Sequence, residues 1–486
     1  MNFKSIFCKI YILIFKNIKI YISKMTVFKK WESKHKNSWF SCVPGKNGFL
    51  PIDQPLFRLP EKYNKVNEIL KNMKITQNNE THGYLHYRTL GNIIDKELPI
   101  YDISKETDVK LLAALQRDYY FLASAYSLET SHPKENESNY NTARTILPKQ
   151  IAIPLLELSK KNDVFPWMDY AYGYGLNNAL LIGDDPTHYG SYKTIRTFNG
   201  NQSEEGFINV HVAMVAQSGD LLKYQQECLY NISIDNREEF NKNLKSHFMV
   251  FSNIIETLQT MWKASSYSDY MSFRTFIMAQ KGNNICYPNE SITFSIEEGG
   301  QEIHSYRGET GAQDSMIPSI DSFLQLKYPR NKLTEYLFDL RQYRPKDHQE
   351  YINFVEKESL NLDFKRYCYK DSYSCIILLK NLNCLRMFRK KHWNLTKKYI
   401  IENTKHPVAT GGTPITTWLP NQLGATLAYM QEVIDVINIY DLNDDNLEYY
   451  RSLKVELSDH IQSIMDEVNS MQRDFKNQDY KDFVSK

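Results

Sequence analysis

His392 is the first residue in this chain whose type and setting predict chemistry. It lies in a stretch where Leu385, Phe388, Leu395 and Tyr399 recur at the spacing of one helix face. His392 falls on the same face and is therefore predicted to point inward. Because burial of an unpaired imidazole is costly, the ring must be hydrogen-bonded or ligated. A hydrogen-bonded core histidine is the more common of these two outcomes.

His211 occupies a similar position in a second predicted helix, where it shares one face with Phe207 and Met214. In isolation, a buried histidine bonded to a backbone carbonyl is again the more common outcome. Two inward histidines on different helices of one bundle can nevertheless stand on opposite sides of a planar cofactor. One would then ligate iron, and the other would lie over the open face.

Arg274 is the one basic residue in the aromatic and aliphatic run 269–278. Its forked donors suit either a structural ion pair or a receptor for a ligand carboxylate or haem propionate, and residue types alone leave both open. The segment 410–414 has the pattern of a helix start, with Thr413 as N-cap and Pro414 in the first turn after two glycines. This pattern suits a lid or an anion contact, although a plain loop is more common.

The elements that must position these side chains are mainly helical. A capping box of Asp235 and Glu238 precedes a long apolar stripe. The stripe consists of Phe240, Leu244, Phe248, Phe251, Ile255, Leu258 and Trp262. Two further long helical patterns span residues 376–401 and 423–437. Because strand-like alternation is scarce, we predict a mainly α fold with a helical bundle in the C-terminal half.

A polar stretch at residues 199–206 predicts a domain boundary. We expect a smaller α-rich N-terminal domain over residues 31–200, a large C-terminal helical domain over 201–440 and a helical tail over 441–486. Residues 1–30 form an extension. Its lysines interrupt the apolar residues too often for a signal peptide or a membrane span. We expect that extension to be disordered, or untranslated if the start codon encodes Met25.

Composition excludes several classes of partner. The 59 basic and 57 acidic residues nearly cancel, so we expect neither nucleic acid nor a membrane as partner. The seven cysteines are odd in number and contain no CxxC pair, which argues against a disulfide scaffold and a thiolate zinc site. A reducing compartment fits best, and we expect a cytoplasmic protein.

Several motifs together resemble the indoleamine 2,3-dioxygenase family. The match is collinear from about residue 82 to residue 437. Its most specific stretches are residues 147–154 with 158–161, 274–282, 306–313, 389–400 and 410–413. Each motif is weak alone, and their common order and spacing carry the resemblance. The resemblance implies that the large helical domain binds haem b.

The resemblance also implies roles for individual residues. His392 matches the proximal haem ligand, and Arg274 matches the arginine that holds the substrate carboxylate. Asp321 and Arg389 match an acid and an arginine on the proximal side, which we expect to form a pair that orients His392. The other matches lie near substrate or haem: Tyr170, Phe207 and Tyr270 as aromatic walls, Gly308, Thr310 and Gly311 in a loop beside the haem, and Thr410 and Gly411 in a mobile loop that bonds the substrate ammonium.

Three positions depart from the family pattern. His211 stands where the best-known mammalian enzyme has serine, whereas related tryptophan 2,3-dioxygenases use a distal histidine to accept the indole N–H hydrogen bond. His211 is therefore a candidate for a catalytic, substrate-orienting residue. Asp269 and Met278 replace an aromatic and a small residue of the mammalian pocket, which predicts a pocket of different depth.

The resemblance implies a dioxygenase that uses O2 to cleave the indole C2–C3 bond of L-tryptophan and gives N-formylkynurenine. This reaction is the first step of the kynurenine pathway towards NAD. We expect a monomer whose iron is kept ferrous by an unidentified electron donor. The alternatives are a myoglobin-like oxygen carrier derived from the same fold and a haem-free helical scaffold or metal site. Retention of Arg274, Tyr170 and the Thr410 loop favours the enzyme, because a carrier needs only His392 and a distal lid.

Overall fold

A computed structural model describes residues 28–78, 81–133, 140–328, 332–403, 409–412 and 415–476. Helices dominate this part of the chain, which confirms the predicted mainly α fold. In chain order the α-helices are α1 Asn64–Met73, α2 Tyr84–Tyr87, α3 Leu90–Glu97, α4 Val109–Leu128, α5 Lys149–Asn162, α6 Gln202–Val215, α7 Ser218–Ser233, α8 Arg237–Gln259, α9 Met261–Ala264, α10 Tyr267–Arg274, α11 Met316–Phe323, α12 Lys332–Arg341, α13 Lys346–Asn361, α14 Phe364–Tyr369, α15 Ser372–Tyr399, α16 Ile415–Val436 and α17 Asp444–Lys476.

The strands are short and form small sheets at the edges of the helical core. They are β1 Thr76–Asn78, β2 Thr81–His82, β3 Ile146–Leu147, β4 Ala179–Leu181, β5 Tyr192–Thr194, β6 Ile292–Ser295 and β7 Gln301–His304. β1 pairs with β2 and β4 pairs with β5, both antiparallel. β6 lies between a parallel β3 and an antiparallel β7. The parallel pair joins a segment from the first third of the chain to the loop region beyond α10.

Long helices pack side by side in the C-terminal half. α7 packs on α8, α8 packs on α15, and α15 packs on α16, which also contacts α17. The three long sequence patterns correspond to α8, α15 and α16, although α16 begins eight residues before the predicted start at residue 423. Apolar residues from both halves of the chain join one continuous core. The division into two domains stays a prediction.

The predicted capping box at Asp235 is wrong by one residue. Asp235 adopts a left-handed backbone with φ of 55° and ends the turn after α7. Asn236 caps α8 instead, accepting a hydrogen bond from the backbone N–H of Glu239. The apolar stripe is also shorter than predicted, because α8 ends at Gln259 and Trp262 is 46% exposed on the separate helix α9.

The polar stretch proposed as a domain boundary is not a linker over its whole length. α6 already begins at Gln202, where the Asn201 side chain accepts a hydrogen bond from the backbone N–H of Glu204. The Glu204 carboxyl is buried and accepts hydrogen bonds from the backbone N–H groups of Phe198 and Asn199. These contacts attach the preceding loop firmly to the first turn of the helix.

Three further observations bear on the sequence predictions. Within the described ranges, no helix has both the length and the apolar character needed to cross a bilayer. The six cysteines that the structure describes are buried and carry free thiols. The predictions for residues 1–27, and those for Thr413 and Pro414, lie outside the described residues.

Candidate active site

Most of the residues singled out from the sequence line one cavity. The cavity is walled by α6, α10, α11, α15 and the loop after β7. The predicted residues on its wall are Tyr170, Phe207, His211, Tyr270, Thr310, Gly311, Asp321, Arg389, His392 and Thr410. They come from separate segments spread over nearly half of the chain, from Tyr170 to Thr410, so only the folded chain brings them together.

His392 faces this cavity from the last third of α15. The helix starts at Ser372, where the Asp371 side chain accepts the backbone N–H of Ser374 at 2.8 Å. The His392 ring lies 6.4 Å from the Phe388 ring and, among the described residues, receives no hydrogen bond. Burial lowers the pKa of His392 to about 4, so the imidazole is neutral at pH 7. A neutral, unbonded ring nitrogen is a suitable metal ligand.

Arg389, which lies one helical turn before His392 on α15, forms the predicted ion pair with Asp321 of α11. The guanidinium Nη2 lies 2.8 Å and 2.9 Å from the two carboxylate oxygens, and both residues are buried. Tyr328 Oη donates to the same carboxylate at 2.6 Å, and Arg389 also donates to Tyr328 and Thr426. None of these described side chains hydrogen-bonds to the His392 ring, so an orienting effect would act through the α15 backbone.

His211 lies on α6 and faces the same cavity. Its ring centroid is 5.0 Å from the Phe207 ring and 5.7 Å from the Tyr170 ring. Tyr170 Oη lies 3.4 Å from His211 Nδ1, at the long end of a hydrogen bond. Burial, with a smaller contribution from His392, lowers the pKa of His211 to about 4. The neutral ring can therefore accept one hydrogen bond at pH 7.

Aromatic side chains close the cavity beside His211. Tyr170 begins a π-helical turn, Tyr170–Tyr174, which is capped by the buried Asp169 carboxylate. The backbone N–H of Tyr170 donates to Gln313 Oε1 at 3.0 Å, which fixes this turn to the 3₁₀ helix Gly311–Gln313. The Phe207 and Tyr270 rings lie 5.3 Å apart. These tilted rings form a mostly apolar, aromatic part of the cavity wall, and Tyr270 also lies 5.7 Å from the Tyr399 ring of α15.

Arg274 does not line the cavity. It ends α10, is 1% exposed and donates a hydrogen bond from Nη1 to Tyr140 Oη at 3.0 Å. The two departures on this segment do not line the cavity either. Asp269 accepts a hydrogen bond from Ser203, and Met278 is buried in the core. The expected change of pocket depth therefore does not come from direct contact by these two side chains.

Gly308 and Gly411 also lie outside the cavity wall. A Cβ atom on Gly308 would come within 2.3 Å of the Thr410 carbonyl oxygen, and one on Gly411 within 2.4 Å of Tyr336 Oη. Gly308 therefore lets the loop after β7 approach the backbone of Thr410, and Gly411 leaves room for Tyr336 of α12. The close approach keeps Thr310 and Thr410 on the cavity wall.

The sequence interpretation missed four acidic or basic side chains on the cavity wall, Glu309, Asp314, Arg341 and Arg344. Arg344 donates to the carbonyl oxygens of Ala312 and Asp314, both at 2.9 Å, and so braces the loop that carries Glu309. Glu309 lies inside the motif 306–313, between Gly308 and Thr310. Its position inside that motif is the one sequence signal that could have identified Glu309 as a residue of the site.

The family model for indoleamine 2,3-dioxygenase matches residues 40–423 of this chain. The chain belongs to the indoleamine 2,3-dioxygenase family. It is 24% identical over 400 residues to an indoleamine 2,3-dioxygenase of Aspergillus nanangensis, covering 77% of this chain and 92% of that protein. It is also 24% identical over 388 residues to the indoleamine 2,3-dioxygenase of Saccharomyces cerevisiae, with coverages of 74% and 79%.

A third relative broadens the range of substrates in the family. The 6-hydroxytryptophan 2,3-dioxygenase of Fusarium equiseti is 24% identical over 367 residues, covering 73% of this chain and 82% of its own length. Indoleamine 2,3-dioxygenases are haem enzymes that oxidise tryptophan or related indoles. At this level of identity, family membership establishes the type of reaction and leaves the individual indole open.

The cavity of this family member fits a haem group. Its wall beside His392 and His211 includes Met214, Val215, Leu258, Met261 and Leu395, which are buried apolar side chains suited to a porphyrin face. His392 supplies a neutral imidazole, and Arg341 and Arg344 supply positive charge on the same wall. A neutral imidazole is a known protein ligand of haem iron, so His392 could hold the group, and the two arginines could pair with its propionates.

Proposed function

We propose that this indoleamine 2,3-dioxygenase family member uses haem and O2 to cleave the indole C2–C3 bond of L-tryptophan, giving N-formylkynurenine. The observation that carries the proposal is that His392 and His211 face one aromatic cavity from different helices. The product would enter the kynurenine pathway towards NAD. An electron donor, still to be identified, would keep the iron ferrous, and we propose a cytoplasmic monomer.

His392 would hold the haem through its unbonded ring nitrogen. Asp321 and Arg389 would fix the last turns of α15 and so the direction of that nitrogen. Haem, when bound, supplies the iron at which dioxygen reacts with the indole. The protein supplies orientation and exclusion of water, which lower the barrier without any further acid or base.

His211 would orient the substrate by accepting a hydrogen bond from the indole N–H. Its low pKa supports this role, because a neutral imidazole accepts whereas an imidazolium only donates. Tyr170 would close over the indole, while Phe207 and Tyr270, whose rings contact each other, would form an aromatic wall beside its ring. Together these groups would hold the C2–C3 bond in place and keep water out of the cavity.

Arg274 and Thr410 are proposed to bind the amino-acid end of the substrate. Thr410 already lines the cavity. The Arg274 guanidinium would have to turn from Tyr140 past Tyr270 to reach a carboxylate, so we propose that substrate binding draws it inward. Closure that completes a site after binding is common in enzymes.

The test is turnover of L-tryptophan by the haem-loaded protein under ¹⁸O2. We expect N-formylkynurenine that carries two ¹⁸O atoms, and we expect His86→Ala, an exposed control, to leave the rate unchanged. Reversible O2 binding without product would instead support the oxygen-carrier alternative. Product with fewer than two labelled atoms would contradict dioxygenase chemistry.

A further inference from the structure

Glu309 is a buried acid that the roles assigned above do not use. Its side chain lines the cavity, the residue is 3% exposed, and it accepts no hydrogen bond from any described residue. The other acids on the wall differ in this respect. Asp314 accepts the backbone N–H of Ile317 at 3.0 Å, and Asp321 pairs with Arg389. Among the described acids of this wall, Glu309 is therefore the one whose carboxyl has no hydrogen-bond partner at either oxygen, whereas Asp314 lacks a partner only at Oδ1.

The surroundings of the Glu309 carboxyl are aromatic. When Glu309 is ionised, it raises the pKa values of Tyr170, Tyr174 and Tyr270, in each case by less than burial does. Tyr170 and Tyr270 are the cavity walls assigned to the indole ring. Because Glu309 lines the same cavity as these two rings, we place it beside the aryl part of the substrate.

The Glu309 carboxyl is mainly protonated at pH 7. Burial, reinforced by the nearby Asp169, raises the pKa of Glu309 to about 8. No basic side chain in the described part of the chain offsets this rise. A buried neutral carboxyl can both donate and accept, and leaving it without a partner is unfavourable. A ligand that brings a polar hydrogen to this place would recover that loss.

We propose that Glu309 is a specificity residue that hydrogen-bonds to a hydroxyl group on the benzo ring of the substrate. The favoured substrates are then ring-hydroxylated tryptophans. This inference rests on the proposed function, and it narrows the substrate class of the same site. A site that hydrogen-bonds a hydroxyl group discriminates strongly against the analogue that lacks it, because its buried polar group then stays unpaired. The relative from Fusarium equiseti carries a hydroxylated substrate in its name.

Ligand binding to the haem-loaded protein tests the proposal. Calorimetry would compare L-tryptophan with its 5-hydroxy and 6-hydroxy derivatives on wild type, Glu309→Leu, Glu309→Ala and Glu309→Gln. Glu297→Gln is the matched control, because Glu297 is exposed and outside the cavity. We expect wild type to bind one hydroxylated ligand at least about tenfold more tightly than L-tryptophan. The ratio should fall to about one in Glu309→Leu, and Glu309→Gln should keep part of it.

An unchanged ratio in Glu309→Leu, or a wild type that prefers L-tryptophan, would overturn the proposal. If Glu309→Leu does not retain haem, Glu309→Ala gives the same comparison. Indole-3-ethylamine and indole-3-propionate test the competing role of Glu309 as a partner of the substrate ammonium. If Glu309→Leu weakens the amine and all three amino acids equally but leaves the propionate unchanged, Glu309 binds the ammonium and the proposal is wrong.

Product formation on the same samples separates this inference from the proposed function. A wild type that binds these ligands but oxidises none of them contradicts the dioxygenase activity. Oxidation that continues with an unaltered hydroxyl preference in Glu309→Leu overturns only the assignment of Glu309.

Discussion

The two sides of the cavity differ in how completely their polar groups are paired. On the His392 side, the terminal nitrogens of Arg389 are held by Asp321 and by two hydroxyl groups, and only Arg389 Nε and the His392 ring lack a partner among these described groups. On the opposite side, Glu309 receives no hydrogen bond from the described residues, and His211 has one long contact with a tyrosine. A hydrogen-bonded network fixes the positions of its side chains before a ligand binds, whereas polar groups without a partner can still bond to a ligand. We infer that the first side holds the cofactor and the second selects the substrate.

The largest expected effect is the loss of haem in His392→Ala. Removal of the sole proposed iron ligand should weaken haem binding by more than about 100-fold, since loss of an outer hydrogen-bond partner alone costs about 10- to 100-fold. The measurement is a haem titration followed by the Soret band, with added imidazole as rescue. Unchanged haem affinity would contradict the assignment of the His392 side as the cofactor side.

Arg274→Ala tests whether Arg274, which does not line the cavity in this structure, binds the substrate carboxylate. If substrate draws the guanidinium inward, kcat/KM for L-tryptophan should fall by about 30-fold to about 900-fold, equivalent to about 2 to 4 kcal/mol. Indole-3-ethylamine, which lacks the carboxylate, should be affected far less. If both substrates lose equally while the melting temperature falls, Arg274 is a structural partner of Tyr140.

Asp321→Asn should have an intermediate effect on the cofactor side. The substitution leaves the Arg389 charge buried without its counter-ion, which weakens the fixation of α15. We expect haem affinity to fall by about 10- to 100-fold. Substrate affinity of the remaining holoprotein should stay at the wild-type value. A variant with weaker tryptophan binding but intact haem affinity would show that the two sides are not separate.

The smallest effect is expected for His211→Ala. Loss of one neutral hydrogen bond should lower kcat/KM by about 2-fold to about 12-fold. The pKa of His211 is about 4, so its acceptor nitrogen is free above pH 5 and becomes protonated as the pH falls towards 4. The advantage of wild type over the variant should therefore shrink between pH 6 and pH 4. A ratio of rates that does not change with pH would argue against an accepting role.

Periodicity predicted the cofactor side well. The apolar stripe of α15 placed His392 correctly because a helix face is set by local spacing alone. The Asp321 and Arg389 pair, separated by 68 residues, was found only through the family resemblance.

The substrate side was harder to predict because its side chains depend on distant partners. Arg274 turns to Tyr140, which lies 134 residues earlier, and no local pattern carries that contact. Glu309 is buried because the loop around it is braced by Arg344 from another element. The predicted start of α8 was wrong for a local reason. Either Asp235 or Asn236 could cap the helix, and the left-handed backbone of Asp235 in the preceding turn leaves Asn236 as the cap.

The most direct test of the central claim is the optical spectrum of the haem-loaded protein before and after addition of L-tryptophan or its hydroxylated derivatives. The account predicts one haem per chain with a Soret band that shifts on indole binding, because His392 and the indole wall share one cavity. A stable haem complex whose spectrum does not change with any of these indoles would contradict the account. So would a protein that retains His392 and binds no haem.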